Sequence, residues 1–399
     1  MSTSNPLSRV REVVVVGGGI AGCTIAYELA RAGADVTLLE QDRIACAASG
    51  CNAGLLLNQV ERDVVLTMQE SLHTYQHLHA ERDLELRRQD QLLLATRTDQ
   101  AAAARTRADA MREIGVVVED LEPHALANFP QLRAEFAAGY LLRDAWALNP
   151  LKATTAIAAA ARAAGARLHT GVRVNAVALR EGRVAGVYTD TDQLRADAVV
   201  LATGPRLQEL LPGASVTGGR GWLMRTARLG FELPWIVEEM SWPDQDELGR
   251  AARPVTLEEL SSGGHDLPVV EAFVLAPQPG GDALLGTSLA PSLIDAVEGV
   301  EMPRRLAARA LAAAPGLARV PVVAAWSALR PMTPDGMPVA GRAGLDNLYV
   351  HGGHGSIGMM TAPATARRLA RAILWGEESP ELVRLDPLRF SSREARSLA

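Results

Sequence analysis

The pattern of hydrophobic positions at the start of the chain predicts a βαβ unit. Four consecutive valines, Val13–Val16, are typical of a strand that is buried on both faces of a parallel sheet. Apolar residues then recur at helical spacing from Ile20 to Ala30, and Gly33 stands where the end of a helix favours glycine. The segment Asp35–Glu40 predicts a second short strand. The chain therefore begins with a strand, a glycine turn, a helix and another strand.

The rest of the chain changes between helical periodicity and the alternation that is typical of hairpin strands. Gly280–Gly281 is predicted as the turn of a hairpin. The segment Trp235–His265 is rich in acidic residues, Pro and Gly, and it is predicted as a loop or lid. We predict helices at Met68–Leu86, Ala101–Ile114, Leu151–Ala164, Pro303–Ala314 and Ala364–Leu374, and strands at Gln91–Ala95, Arg167–Thr170, Val172–Leu179, Val184–Thr189, Ala198–Ala202, Ala272–Ala276 and Ala283–Gly286.

Length and composition narrow the class of protein. A chain of 399 residues exceeds what one hydrophobic core usually supports, which predicts two domains. The net charge of -6 offers no electrostatic basis for binding nucleic acid or an anionic membrane. The three cysteines lack a paired spacing, which favours a reducing compartment. Because the N-terminus is polar and the apolar stretch Val13–Ala30 contains glycines and Glu28, we expect a cytoplasmic protein with no membrane span.

The first turn carries a dinucleotide-binding fingerprint. Gly17, Gly19 and Gly22 form the pattern G-x-G-x-x-G between a strand and a helix, where the helix N-terminus faces a pyrophosphate. Glu40 ends the next strand, where a carboxylate accepts hydrogen bonds from ribose hydroxyls. A later strand, Ala198–Ala202, runs into Thr203-Gly204, and a long insertion separates it from the first unit. This arrangement favours FAD over NAD.

In order along the chain, these motifs resemble the superfamily of D-amino-acid oxidase, glycine oxidase and sarcosine oxidase, and most closely its D-amino-acid dehydrogenase and opine-oxidase-like branches. The resemblance covers nearly the whole chain. It is carried by GGGIAGCTIAYELARAGADVTLLE from Gly17, ASGCNAGLL from Ala48, VVLATG from Val199, RGWL from Arg220, LRPMTPDGMPVAG from Leu329 and GGHGSIGMMTAPATA from Gly352.

The resemblance implies an α/β fold with a Rossmann-like FAD-binding domain built from discontinuous segments, and a smaller substrate domain of mixed sheet with an α+β arrangement. We expect residues 10–85, 150–215 and 325–399 in the first domain, and residues 86–149 and 216–324 in the second. FAD is expected to bind non-covalently. Its predicted contacts are Gly17, Gly19, Ile20, Ala21, Gly22, Glu40, Gln41, Ser49, Asn52, Ala53, Gly54, Val174, Thr203, Gly204, Gly353, Gly355, Ser356, Ile357 and Gly358.

Two residues are predicted to take part in catalysis. Arg330 matches the arginine that binds the substrate carboxylate in this superfamily; the alternative is a structural arginine bonded to Asp335 or to backbone. His354 is predicted near the flavin plane, as a polar contact in preference to a general base. No metal site is expected, because His73, His77 and His79 lie on a polar helix without acidic or cysteine ligands, which indicates a solvated face.

Several positions depart from the superfamily's patterns. Ser356 stands where glycine oxidases often have a second arginine, and Pro205-Arg206 replaces the usual tryptophan after the Ala-Thr-Gly turn. Ala328 lies near the position of the cysteine that attaches flavin in monomeric sarcosine oxidases, and nothing around Cys51 marks that thiol as activated. These differences argue against glycine as the specific substrate and against a covalent flavin.

The predicted function is FAD-dependent oxidation of the carbon–nitrogen bond of a small amino acid or secondary amine. A hydride passes from the substrate Cα–H to flavin N5, and the resulting imine is hydrolysed by water. A flavin hydroxylase is disfavoured, because Gly-Gly-His-Gly replaces the expected Gly-Asp motif near the C-terminus. Two alternatives remain open: an FAD-holding subunit of a heteromeric amine or opine dehydrogenase, and an amine oxidase that tailors a natural product. The electron acceptor, whether oxygen, a quinone or a partner subunit, is also open.

Overall fold

The computed structural model describes residues 10–122, 125–127, 129–133, 135–240, 269–291 and 301–390. The strands are β1 (Glu12–Val16), β2 (Asp35–Glu40), β3 (Leu55–Leu56), β4 (Arg87–Arg88), β5 (Gln91–Ala95), β6 (Val118–Asp120), β7 (Ala138–Leu142), β8 (Trp146–Ala147), β9 (Arg167–Thr170), β10 (Val174–Arg180), β11 (Arg183–Thr189), β12 (Gln193–Arg195), β13 (Ala198–Leu201), β14 (Thr217–Thr226), β15 (Ile236–Glu239), β16 (Val270–Pro277), β17 (Ala283–Pro291), β18 (Val322–Met332), β19 (Val339–Arg342) and β20 (Leu348–Gly352).

The helices of the described residues complete the list of elements. They are α1 (Ile20–Arg31), α2 (Ala48–Cys51), α3 (Arg62–Glu81), α4 (Ala101–Glu113), α5 (Pro150–Ala163), α6 (Leu207–Leu210), α7 (Glu301–Ala313), α8 (Gly358–Trp375) and α9 (Pro380–Arg384). Among the described residues, no helix combines the length and the apolar composition needed to cross a membrane.

A six-stranded sheet carries the glycine turn. Its strand order is β19-β20-β13-β1-β2-β9, and only the pair β19–β20 is antiparallel. The valines of β1 are at most 5% exposed, because β1 lies inside the sheet and both of its faces are covered. Helices α5 and α8 pack beside α1 over one face. The predicted βαβ unit and the parallel sheet are confirmed.

An eight-stranded, mostly antiparallel sheet forms the second layer of the molecule. Its order is β18-β14-β17-β16-β15-β5-β7-β6, and β15 with β5 is the parallel pair. Helix α7 packs against β16 and β17 on one face and closes an apolar core there. The opposite face of the eight-stranded sheet is directed toward the layer that contains the six-stranded sheet. The predicted α/β fold with a second, mixed-sheet region is confirmed.

Two predicted features differ from the structure. The segment Trp235–His265 was predicted as a loop or lid, but Ile236–Glu239 is a buried inner strand, β15; residues 241–265 lie outside the described residues. The predicted domain boundary at residue 325 falls inside β18, so residues 325–332 lie in the eight-stranded sheet. Both differences arise because pairing partners from distant parts of the chain, which local composition does not reveal, decide where these residues lie.

Two helices begin or end at residues other than those predicted. The helix predicted at Met68–Leu86 spans Arg62–Glu81, and it ends because Arg82 is extended. The helix predicted at Ala364–Leu374 begins earlier, at Gly358, with Pro363 inside it. The hairpin turn at Gly280–Gly281 is confirmed between β16 and β17.

Candidate active site between the two sheets

The glycine fingerprint is held by close backbone contacts. Gly17 adopts a φ of 109°, and a Cβ at this position would lie 2.4 Å from the carbonyl oxygen of Ala202. A Cβ on Gly22 would lie 1.8 Å from the carbonyl oxygen of Gly17. Glycine is therefore required at both positions for the turn to pass between helix α1 and strand β13. This turn leaves the N-terminus of α1 at the carboxyl edge of the parallel sheet.

Glu40 lies at the edge of the predicted nucleotide site, where its carboxylate accepts hydrogen bonds from two backbone N–H groups. Its Oε2 accepts a hydrogen bond from the Gly18 N–H at 2.6 Å, and its Oε1 accepts one from the Asp42 N–H at 2.7 Å. The Val172 N–H donates to the Glu40 carbonyl oxygen at 2.9 Å, which brings the start of β10, and with it Val174, to the same edge. Gln41, which follows Glu40, is exposed.

The segment around α2 joins the helix N-terminus to a cavity. Ser49 Oγ accepts a hydrogen bond from the Ile20 N–H at 2.8 Å, so it satisfies one of the free donors of α1. Asn52 Nδ2 donates to the carbonyl oxygens of Ala48 and Ser49, and its Oδ1 accepts from the Gly54 N–H at 2.7 Å. These bonds hold Asn52, Ala53 and Gly54 along the cavity wall.

The turn before α8 approaches the cavity from the other side. Gly353 and Gly355 have φ values of 64° and 49°, and the Gly355 N–H donates to the carbonyl oxygen of Pro331 at 2.8 Å. Ser356 and Ile357 then line the cavity, and α8 begins at Gly358. The helix N-terminus is thereby directed toward the cavity.

Three buried polar atoms in the predicted cofactor segments have no hydrogen-bond partner within the described part of the chain. They are Thr203 Oγ1, Ser356 Oγ and His354 Nε2. Buried polar groups are nearly always satisfied, so three such atoms in the predicted cofactor segments point to a polar ligand. Gly204 beside Thr203 has a φ of 59°, and a Cβ there would meet no atom within 4 Å. These residues fit the pyrophosphate, ribitol and ring edge of FAD.

His354 is buried and lies outside the lining of the cavity. It is 3% exposed, its Nδ1 is 2.9 Å from Thr361 Oγ1, and its ring stands edge-on to His351 at 4.9 Å between centroids. Burial lowers the pKa of His354 well below its ordinary value, and the neighbouring His351 lowers it further. A general base works best with a pKa near the operating pH, so this environment favours a neutral polar contact. The catalytic role of His354 stays a prediction.

The cavity between the two sheets has a volume of about 150 Å³. One wall is formed by α2, the residues that follow it and the turn before α8; the other wall is the face of the eight-stranded sheet. Five adjacent strands contribute to that second wall. Their cavity residues are Ala328 and Arg330 from β18, Gly221 and Leu223 from β14, Thr287 from β17, Val274 from β16 and Glu238 from β15.

Arg330 brings a fixed positive charge to this cavity. Its Nη1 donates to the Ser288 carbonyl oxygen and its Nη2 to Thr287 Oγ1, both at 2.8 Å. Burial lowers the pKa of Arg330 to about 10, which leaves the guanidinium charged at neutral pH. Asp335, the predicted alternative partner, instead accepts from Arg389 at 2.8 and 2.9 Å. The other alternative, bonding to backbone, is present, but it leaves Arg330 in the cavity wall.

The cavity residues that the sequence did not indicate include Thr287 and Glu238. Thr287 belongs to no motif, and Glu238 lies in the segment that was predicted as a loop. Glu238 is 2% exposed, and its Oε2 accepts from Gln91 Nε2 at 2.5 Å. The run Ile236-Val237 before the two glutamates is typical of a short buried strand, and it could have indicated that Glu238 lies in the sheet.

The structure also shows the surroundings of the cysteine considered for covalent flavin attachment and of the histidines considered for metal binding. Cys51 lines the cavity, but burial raises the pKa of its thiol, which disfavours the reactive thiolate. His73 and His77 are exposed on α3, whereas His79 Nδ1 accepts from the Leu84 N–H at 3.2 Å.

The parallel sheet, the glycine turn and the terminal carboxylate define a dinucleotide-binding flavoprotein fold. Residues 12–372 match the family described as DAO, FAD dependent oxidoreductase, and the chain belongs to this family. The predicted resemblance and the predicted cofactor, FAD, are thereby confirmed at the level of the family.

Individual relatives agree with this assignment. The chain is 30% identical to a glycine oxidase of Pseudomonas aeruginosa, over 90% of this chain and 93% of the relative. It is 27% identical to a bifunctional protein ThiO/ThiG of Nostoc sp., over 93% of this chain but only 54% of the relative, so it spans about half the length of that protein. The crystal structure of glycine oxidase from Geobacillus kaustophilus has the same fold, with a TM-score of 0.80 at 23% identity, over 96% of this chain and all of the other.

Proposed function

We propose that this protein oxidises the carbon–nitrogen bond of a small amino acid or of a secondary amine that carries a carboxylate. The observation that supports this most directly is the position of Arg330. Its guanidinium lies in the wall of the cavity that faces the predicted flavin-binding segments, and it is anchored on two atoms of β17. A planar guanidinium in this setting matches a carboxylate in a two-point interaction.

The remaining lining supports the same chemistry. Leu55, Leu223 and Val274 give the cavity apolar walls, which exclude water and strengthen the attraction between Arg330 and a carboxylate. Bound FAD supplies the acceptor for the substrate hydride at N5, and the oxidised product is an imine that water hydrolyses. Because the buried His354 is neutral, the proposal requires no protein base if the amine enters unprotonated.

The comparison with known proteins supports a primary or secondary amino acid as substrate. A relative that aligns along almost its whole length is a glycine oxidase. In this chain, however, the cavity wall at residue 356 is a serine, and Glu238 adds a second charged group to the cavity. We therefore propose an amino acid larger than glycine.

The test is anaerobic reduction of the purified yellow protein. Single amino acids and N-methyl amino acids are added without oxygen, flavin bleaching is followed by absorbance, and air is then admitted. Bleaching by one compound supports the proposal and names the substrate class, and the rate of reoxidation in air separates an oxidase from a dehydrogenase that uses a quinone or a partner subunit. Absence of bleaching by every amino acid contradicts the proposal.

A further inference from the structure

A second charged group, of opposite sign to Arg330, lies in the wall of the same cavity. Successive side chains of a strand point to opposite faces of a sheet, and β15 ends with two adjacent glutamates. Glu239 faces α7, where its Oε2 accepts from Arg309 Nε at 2.7 Å. Glu238 faces the cavity, and its side chain is only 3% exposed. The two carboxylates of β15 therefore lie on opposite faces of the sheet, Glu239 against α7 and Glu238 at the cavity.

Glu238 is less well compensated than a buried carboxylate usually is. Gln91 donates a neutral hydrogen bond to Oε2 at 2.5 Å, and the cationic neighbour among the described residues is Arg107, whose Nη1 lies 3.5 Å from Oε1. A charge-assisted bond between guanidinium and carboxylate is closer to about 2.8 Å. Buried charges are costly unless they are paired at such distances. An ionised carboxylate also has further lone pairs that a ligand can use.

Apart from Thr287 and Arg330, the sheet residues that line the cavity with Glu238 are apolar or glycine. They include Leu223 and Val274, and Val274 is the direct register partner of Glu238. An apolar wall that contains one carboxylate selects a ligand with an apolar stem and a cationic group.

The register of the sheet sets the separation between the two charged groups. Glu238, Val274 and Gly286 form one row across β15, β16 and β17, and Thr287, which holds the Arg330 guanidinium, is the next residue after Gly286. Because the guanidinium also lies over Gly221 of β14, the next strand, it is two to three strand spacings from the row of Glu238, which amounts to roughly 10–14 Å. When each charge forms an ion pair of about 2.8 Å with the ligand, the ligand's own charges are separated by roughly 4–8 Å. This is too far for the α-amino nitrogen, which is attached to the carbon next to the carboxylate.

We infer that Glu238 selects substrates that carry a second, protonated nitrogen on the side chain, and that the substrates are therefore basic amino acids of about the length of ornithine. The inference rests on the proposed function, because it places the substrate carboxylate on Arg330. The α-amine is then the nitrogen at the oxidised carbon, and the side-chain cation is a recognition group that does not react.

The test compares isosteric ligands that differ only in charge at the far end. Ornithine and norleucine, each in both enantiomeric forms, serve as substrates, and 5-aminopentanoate and hexanoate, which lack an α-amine, serve as binding ligands. We expect the wild-type protein to prefer ornithine over norleucine in kcat/KM, and to bind 5-aminopentanoate more tightly than hexanoate in a titration, by about 30-fold or more in each case. In Glu238→Gln we expect both ratios, of kcat/KM and of affinity, to fall to near unity. The fall comes mainly from slower turnover of ornithine and weaker binding of 5-aminopentanoate.

The matched control is Glu239→Gln, which removes the same charge from the other face of the same strand. It is expected to retain both preferences. Equal handling of the charged and neutral compounds by the wild-type protein, or unchanged preferences in Glu238→Gln, overturns the inference. The wild-type binding comparison does not depend on folding of a variant or on turnover. If no amino acid bleaches the flavin while 5-aminopentanoate still binds preferentially, the proposed oxidation fails and the cation site stands.

Discussion

The guanidinium of Arg330 lies directly over Gly221 on the neighbouring strand. A Cβ at Gly221 would come 1.7 Å from Nη1 and 2.5 Å from Cζ of Arg330, so no other residue type leaves the arginine where it is. From this position the arginine crosses β14 and reaches Thr287 and Ser288 on β17. The position of the Arg330 charge therefore depends on three strands. Strand β18 carries the arginine, β17 accepts its hydrogen bonds, and β14 leaves room for it because residue 221 is a glycine.

The first prediction concerns Gly221→Ala. The added methyl group displaces the Arg330 guanidinium, and a displacement of about 1 Å in a binding group can lower the rate by about 100-fold. We expect kcat/KM for the best amino acid to fall by about 10- to 100-fold, measured by steady-state oxidation. The flavin content per chain is the internal control, since Gly221 lies on the sheet away from the nucleotide site. Full activity in Gly221→Ala would contradict the described position of Arg330.

The second prediction concerns Arg330 itself. Arg330→Ala removes the partner of the substrate carboxylate and is expected to lower kcat/KM by about 30-fold or more, because an unpaired charge in the cavity costs about 2 kcal/mol or above. Arg330→Lys keeps the charge but loses the two-point geometry, so an intermediate value is expected. Both variants should bleach with dithionite as the wild type does. If Arg330→Ala turned over amino acids normally, the proposed carboxylate site would be wrong.

The third prediction concerns Glu40→Gln. An amide has one acceptor oxygen, so one of the two N–H donors at Gly18 and Asp42 loses its acceptor and meets an NH₂ group instead. An unsatisfied buried donor costs about 1–3 kcal/mol. We expect FAD to dissociate about 10-fold more readily or beyond, as measured by recovery of flavin absorbance in apoprotein titrated with FAD. The matched variant Glu28→Gln, in the last turn of α1 and so at the end of the helix away from the glycine turn, should bind FAD normally.

The fourth prediction concerns stability in acid. Burial lowers the pKa of His351 from 6.5 to about 4, although its hydrogen bond to the Ala21 carbonyl oxygen acts in the opposite direction. Between these two values the unfolded chain binds a proton that the folded chain does not, so the free energy of unfolding falls as the pH falls from 6.5 to 4. The full effect of this residue is about 3 kcal/mol.

The measurement for the fourth prediction is urea denaturation at several pH values. His351→Gln should show a shallower loss of stability below pH 6.5 than the wild type, whatever its stability at neutral pH. A variant with the same slope as the wild type would show that His351 is not the group that titrates.

The parts of the fold that follow from local pattern were predictable from the sequence. Val13–Val16, the glycine turn and the helix after it are specified by residues that are neighbours in the chain, so periodicity alone indicates them. The carboxylate of Glu40 was identified for the same reason. In each case the structural cause lies within one βαβ unit.

The substrate side of the cavity was less predictable, because its causes lie far apart in the chain. Glu238 looks like a solvent-exposed residue when it is read beside Glu239, and the contacts that accompany its burial come from Gln91 and Arg107, which lie far away in the sequence. Arg330 was identified through a resemblance, but its support by Thr287 is a contact across 43 positions that no local pattern records. Pairing between distant strands decides both.

The position of β1 has a consequence for how the chain assembles its nucleotide site. One edge of β1 pairs with β13, a strand from a distant part of the chain, and Gly17 rests against Ala202. Helix α8, which packs on α1, follows more than 150 residues later still. The nucleotide site therefore forms only when segments far apart in the sequence have met, and such contacts form slowly because long loops must close first.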